Sequence, residues 1–220
     1  MSLPADRVFI TGASSGIGAA LAREYAARGA SLGLLARRRP LLEELAASLS
    51  HPERHRIYAA DVTDHDAVFA TNVNATVATF APFIASMKAQ QGPRRLVGIG
   101  SVAGIRGMRG AGAYCASKAA VHSYCESLRL ELRASGIKVV TIAPGYIDTP
   151  MTRKNRFPMP FLMPAERFAA QALDVIARGS SYRVLPWQMG VAAKLLRLLP
   201  NPLFDLAFSR APTKQRQGEA

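Results

Sequence analysis

Hydrophobic positions along this 220-residue chain fall into two kinds of run that take turns. Arg7-Val8-Phe9-Ile10, Ser31 to Leu35, Arg56 to Val62, Arg95 to Ser101, Ile137 to Ala143 and Tyr182 to Pro186 are short, mostly continuous apolar stretches. Their length and richness in Val, Ile and Leu predict strands buried on both faces. Between them lie stretches with helical spacing: Ala19 to Arg28, with Ile17, Leu21 and Tyr25 on one side and Gly29 as a stop; Pro40 to Leu49; Val73 to Gln90; Tyr114 to Ser135, stopped by Gly136; and Pro164 to Arg178. Strand and helix in alternation predict an α/β fold: one doubly wound parallel sheet with helices on both faces. At 49% hydrophobic residues the chain can bury a core as a single domain over residues 1–220.

The alternation fails once. Around Asp64 to Asn72 the chain passes from the third strand into the long helix with no helix and strand between, some tens of residues fewer than the pattern requires.

Glycine and polar residues cluster where strands end. The first strand runs into Thr11-Gly12-Ala13-Ser14-Ser15-Gly16-Ile17-Gly18, a strand, glycine turn and helix in succession. Gly12 permits the tight turn, Gly16 lets the backbone approach a diphosphate at the helix N-terminus, and Gly18 allows helix to pack closely on sheet. The spacing is G-x-x-x-G-x-G rather than G-x-G-x-x-G. At the end of the second strand, where an acid would hold the ribose hydroxyls of NAD, stands Ala36, followed by Arg37 and Arg38. Guanidinium groups suit a phosphate, so these arginines argue for NADP(H) over NAD(H). Asp61 and Val62 close the third strand, positioned to bond and pack on an adenine, or to cap the next turn. Pro144-Gly145 turns the chain after a later strand and presents the backbone of Tyr146 and Ile147 and the hydroxyl of Thr149, which could bind a carboxamide or a phosphate.

The stretch from Ser101 to Lys118 carries the reactive groups. Tyr114 and Lys118, four residues apart, share one helix face, and Ser101 ends a strand thirteen residues upstream. A fixed ammonium beside a phenol favours the phenolate; lowering its pKa by ~3 units takes about 4 kcal/mol. The expectation is a tyrosine made acidic by Lys118 and a bound cofactor's cationic ring.

Composition narrows the setting. No apolar run approaches the ~20 residues of a spanning helix, and MSLPADRVFITG lacks the regions of a secretory signal, which points to the cytoplasm. Cys115 and Cys125 would stand ~15 Å apart on one helix, too far to bridge. His51, His55, His65 and His122 have no metal-like spacing, so no metal is expected. The charge of +13 is scattered rather than gathered in a stripe, which disfavours nucleic acid. Residues 151–178 begin with the proline-broken Met151 to Met163, a substrate loop and lid whose Phe157, Met159, Phe161 and Met163 suggest an apolar pocket. The 187–220 extension opens on a Leu-rich helical patch, Trp187 to Phe208. A subunit interface, a pocket wall or a membrane-surface helix would each fit it, in that order.

Together TGASSGIG at 11–18, DV at 61–62, NVNAT from Asn72, GSVAG around Ser101, YCASK from Tyr114 and PGYIDT from Pro144 resemble the short-chain dehydrogenase/reductase family across nearly the whole chain. The resemblance implies a Rossmann-type fold, a homodimer or homotetramer, and hydride transfer between nicotinamide and a small carbonyl or alcohol. It implies Tyr114 as general acid and base, Lys118 on the nicotinamide ribose and lowering the tyrosine pKa, Ser101 on the substrate oxygen, and Asn72 holding a relay water. Cofactor contacts would come from Gly12, Ser14, Ser15, Gly16, Ile17, Gly18, Arg37, Arg38, Asp61, Val62, Tyr114, Lys118, Pro144, Gly145, Ile147 and Thr149. The family's N-A-G motif at a fourth strand end is absent. Either residues are missing from the chain at the 64–72 join, which we favour because losing a middle strand bares its neighbours' edges, or the protein lacks that strand. Unbroken 3.8 Å α-carbon spacing through residues 62–72 would count against the first. Two other functions stay open: a silent dinucleotide-binding sensor, and a binder of nucleic acid or anionic membrane.

Overall fold

The computed structural model describes residues 6–59, 67–155 and 157–209. In chain order its elements are β1 (Arg7–Thr11), α1 (Gly16–Ala27), β2 (Ser31–Ala36), α2 (Arg39–Ser48), β3 (Arg56–Ala59), α3 (Ala67–Phe69), a π-helical turn (Ala70–Asn74), α4 (Ala75–Ala89), β4 (Arg95–Ile99), α5 (Gly112–Glu131), β5 (Lys138–Pro144), β6 (Ile147–Asp148), β7 (Met163–Pro164), α6 (Ala165–Ala177), β8 (Tyr182–Leu185), α7 (Trp187–Leu198) and α8 (Asn201–Phe208). The predicted α/β class, with parallel strands and flanking helices, is what the chain adopts. It gathers into two compact units, residues 1–61, 146–156 and 162–174 in one and 62–145, 157–161 and 175–220 in the other.

In the first unit β1, β2 and β3 form a parallel sheet in that order, with Arg7 opposite Ser31 and Gly33 opposite Arg56. Leu32, Leu34 and Ala36 of β2 are buried, as β2 is the strand with neighbours on both sides. Helix α1 turns Ala19, Ala20, Leu21, Ala22 and Ala26 inward, and α2 does the same with Leu42 and Leu45. Phe168, Ala169, Ala172 and Leu173 make a buried stripe on α6 at helical spacing. Strands β6 and β7 add a short parallel pair.

In the second unit β4, β5 and β8 form another parallel sheet, and central β5 is buried from Val139 to Pro144. Helix α5 lies on it through Val121, Cys125 and Leu128, in a core completed by Phe80, Leu96, Leu132, Ile137 and Val139. Both cysteines are buried and free.

The predicted single sheet is therefore two three-stranded sheets. Among the described residues β1 pairs only with β2, and β4 only with β5. Phe9, expected inside a doubly covered strand, is 38% exposed. Asp61, Val62 and the join at 60–66 lie outside the described residues. The C-terminal patch is also two helices rather than one, because Pro200 and Pro202 cannot continue α7. No described helix is long and apolar enough to cross a membrane.

Candidate active site

The glycine turn of the first unit takes the form its spacing predicts. Gly12 and Gly16 have φ of 67° and 57°, a region costly for other residues. A side chain on Gly18 would put its Cβ 2.3 Å from the Gly12 carbonyl oxygen, so the helix can sit this close only without one. Helix α1 begins at Gly16 with no acid in its first turn and no cap bond from the Ser15 side chain, which leaves its N-terminal dipole facing outward. Arg38 Nη2 reaches back to donate to Ser14 Oγ at 3.3 Å and Ser15 Oγ at 3.1 Å. A helix N-terminus, two hydroxyls and a guanidinium thus gather in one place, a donor set suited to phosphate. Arg38 meets the turn, and both Arg37 and Arg38 are exposed. Ala36 at the end of β2 is buried and brings no acid. Thr149 packs on the turn, 3.5 Å from the position of a Gly16 Cβ, with its N–H donating to Thr152 Oγ1 at 2.9 Å. Ile147 is buried beneath it.

In the second unit the four reactive residues converge. Ser101, buried just after β4, accepts the Ala103 N–H at 3.2 Å on Oγ. Lys118, one turn after Tyr114 on α5, donates from Nζ to the Ile99 carbonyl at 3.0 Å, and its Nζ lies 5.9 Å from the Tyr114 ring centre. Asn72 sits in the π-helical turn, a local widening common where a helix serves a site. Its Nδ2 donates to Ser117 Oγ at 2.9 Å, and Ser117 Oγ donates to the Tyr114 carbonyl at 2.8 Å. The Asn72 carbonyl accepts from Thr76 Oγ1 at 2.7 Å. Pro144 is buried at the end of β5, and the Gly145 N–H already donates to the Leu185 carbonyl at 2.8 Å.

The electrostatics correct one expectation. Burial pushes the Tyr114 phenol above its ordinary value, with the Ser101 side chain acting the other way. Lys118 does not lower it here, since its ammonium is held at the Ile99 carbonyl and is itself pushed down to about 8 by burial. The protein alone therefore holds Tyr114 as a neutral donor.

Two residues went unassigned in the sequence. Ser117, fully buried, links Asn72 to Tyr114; its signal was the i, i+3 spacing from Tyr114 that lets a serine bond the preceding turn. His122 accepts the Ser101 N–H on Nε2 at 3.3 Å. Burial, with the nearby Lys118 cation, lowers its pKa, which keeps that nitrogen's lone pair available.

The sequence matches the short chain dehydrogenase family profile in two overlapping stretches, residues 6–69 and 55–159. An uncharacterized oxidoreductase of Myxococcus xanthus is 35% identical, with 91% of this chain and 95% of the relative covered. The matched region spans 242 positions yet draws on about 200 residues of this chain, so about 40 positions of the relative have no counterpart. The doubled profile match places a break near residues 55–69, where the strand alternation fails. Among solved structures, a short-chain dehydrogenase from Sphingobium yanoikuyae in complex with NADPH superposes with a TM-score of 0.72 at 25% identity, covering 96% of this chain and 98% of that one. The bulky-bulky ketone specific alcohol dehydrogenase of Comamonas testosteroni gives 0.71 at 25% identity, with 91% and 96% covered. Motif content, site chemistry and relatives agree: this chain belongs to the short-chain dehydrogenase family.

Proposed function

We propose that this protein is an oxidoreductase that moves a hydride between NADP(H) and a small, apolar carbonyl or alcohol. The observation that carries the reading is the placement of Lys118 Nζ 5.9 Å from the Tyr114 ring centre on one face of α5, with Asn72 tied to that helix through Ser117. The residues present fit a nicotinamide dinucleotide. The positive-φ glycines, the uncapped start of α1 and Arg38 over Ser14 and Ser15 form a cradle for phosphate, and no acid at Ala36 repels a ribose phosphate.

The dinucleotide supplies the hydride when bound. Ser101 orients the substrate oxygen. Tyr114, neutral at physiological pH, gives its hydroxyl proton to that oxygen as the carbonyl carbon becomes an alcohol carbon; the reverse reaction returns the proton to the phenolate. Lys118 takes the ribose hydroxyls, and its cation stabilises the phenolate left behind. Asn72 and Ser117 fix the first turns of α5 so that the phenol and ammonium keep their spacing. Arg38 holds the ribose phosphate.

A second reading, a dinucleotide-binding protein without turnover, is favoured by one observation, the 40 or so positions missing relative to the Myxococcus protein. One experiment separates the two. The purified chain is titrated with NADPH and NADH by fluorescence, then assayed across a panel of aldehydes, ketones and quinones. The expected result is turnover with NADPH that falls by a factor of about 100 or more in Tyr114→Phe, while NADPH affinity stays within about threefold. Binding without turnover establishes the second reading; normal turnover by Tyr114→Phe removes the catalytic assignment.

A further inference from the structure

On α7, Trp187, Val191, Leu195 and Leu198 follow one another at spacings of four, four and three, a single helical stripe, and all four are exposed. Trp187 is 67%, Leu195 61% and Leu198 78% exposed, values usual for charged side chains rather than leucines. Leu203 and, at 80%, Leu206 extend the apolar surface onto α8. The rest of α7 is conventional, with Gly190 and Ala193 buried against the unit. The stripe is thus the face that remains after α7 has packed.

Cations border it. Lys194 and Arg197 are exposed on the same helix, and from Arg183 to Phe208 Asp205 is the sole acid. The surface is also held firm. Arg106, five residues after Ser101, donates from Nη1 to the carbonyls of Leu196 and, at 2.7 Å, Leu199, and from Nη2 to Asn201 Oδ1 at 3.1 Å. Its guanidinium lies 3.8 Å from the centre of the Phe204 ring, which stacks on Phe208. One arginine therefore closes the C-terminus of α7 and fixes the start of α8, so both helices present their apolar sides as a built surface.

We propose that the α7–α8 surface docks on an anionic lipid bilayer, with Trp187 and the leucines in the interface and Lys194 and Arg197 against the headgroups. Charge decides between occupants. A second copy pairing through this stripe would bring like cations together in a chain of net charge +13, whereas an anionic surface accepts them. An indole at the head of the helix, leucines along one face and long cationic side chains beside them match what an interface between water and acyl chains accommodates.

Trp187 is the sole tryptophan and sits within the surface, so its emission is the probe. The full chain is titrated with vesicles of phosphatidylserine mixed into phosphatidylcholine, and with vesicles of phosphatidylcholine alone. The expected result is a blue shift with the anionic vesicles only, weakened at least tenfold between about 0.05 and 0.5 M salt. Leu195→Glu with Leu198→Glu is expected to lower partitioning by a factor of about ten or more. Lys194→Glu with Arg197→Glu lowers it by about fivefold per cation lost. All four positions are exposed, so circular dichroism of the variants should match the parent. Should the leucine pair misfold, the charge pair carries the test. Absence of a shift, equal binding to neutral vesicles, or full binding by the variants overturns the proposal. So does sedimentation of the parent as a dimer that Leu195→Glu separates, which would assign the surface to a second copy.

Discussion

Lys118→Met should make this protein more stable at neutral pH while removing its activity. The ammonium of Lys118 is buried enough to bring its pKa from 10.5 to about 8. A tenfold loss of proton affinity corresponds to about 1.4 kcal/mol, so below pH 8 the folded protein carries about 3 kcal/mol of unfavourable charge burial. Methionine keeps the length and apolar body of the side chain without the charge. The substitution also takes the donor from the Ile99 carbonyl, a loss of about 1 kcal/mol, which leaves a net gain of about 2 kcal/mol at pH 7. The sign with pH follows from linkage. Between pH 8 and 10.5 the unfolded lysine still holds a proton that the folded one has lost. Stability of the parent therefore rises with pH in that window, and the advantage of the variant shrinks by about 1.4 kcal/mol for each pH increment of one above pH 8. Urea unfolding of both proteins at pH 7, 8, 9 and 9.5 reads this out as a difference. Tyrosines with raised pKa, such as Tyr124 and Tyr182, are common to both and cancel. A variant no more stable than the parent at pH 7, or an advantage unchanged up to pH 9.5, refutes the reasoning.

Arg38→Ala should raise KM for NADPH by a factor of about ten or more and leave KM for NADH nearly unchanged, since a guanidinium–phosphate contact is worth about 1.5–3 kcal/mol; steady-state kinetics with both cofactors measure it. Ser117→Ala leaves the Asn72 amide and the Tyr114 carbonyl without their shared hydroxyl in a fully buried position. It should cost about 1–3 kcal/mol in urea unfolding and lower kcat more than it changes KM.

Element by element, the chain announced itself well where one residue type dominates. Helix α5 was expected from Tyr114 to Ser135 and runs from Gly112 to Glu131, with one further turn to Ser135. Its end is set by Gly136, at φ of 73°. The glycines of the first turn were readable because each answers to a local steric demand. The Tyr114 pKa was not, because its direction depends on burial by distant parts of the chain and on where the Lys118 ammonium finds its partner. Nor was the contact of Arg38 with Ser14 and Ser15, since no periodicity fixes side-chain directions in that turn. The π-helical turn at Ala70–Asn74 is a backbone detail without a compositional mark.

The missing positions act on a different level from the motifs. A strand contributes backbone hydrogen bonds to both neighbours, and the residues that identify this family are side chains and glycines at strand ends. Loss of one strand can therefore leave every motif in register while two strands lose half their pairing. Each of the two sheets here retains three strands, about the least that is stable when covered by helices, and each has such cover in α1 and α2 or in α5. Local geometry is present in both: the glycine turn has its positive dihedrals, and Lys118 stands beside Tyr114. Among the described residues β1 pairs with β2, and its Phe9 is 38% exposed. Family membership and strand pairing are thus separate properties of this chain: side chains and glycines at strand ends carry the first, and backbone hydrogen bonds the second.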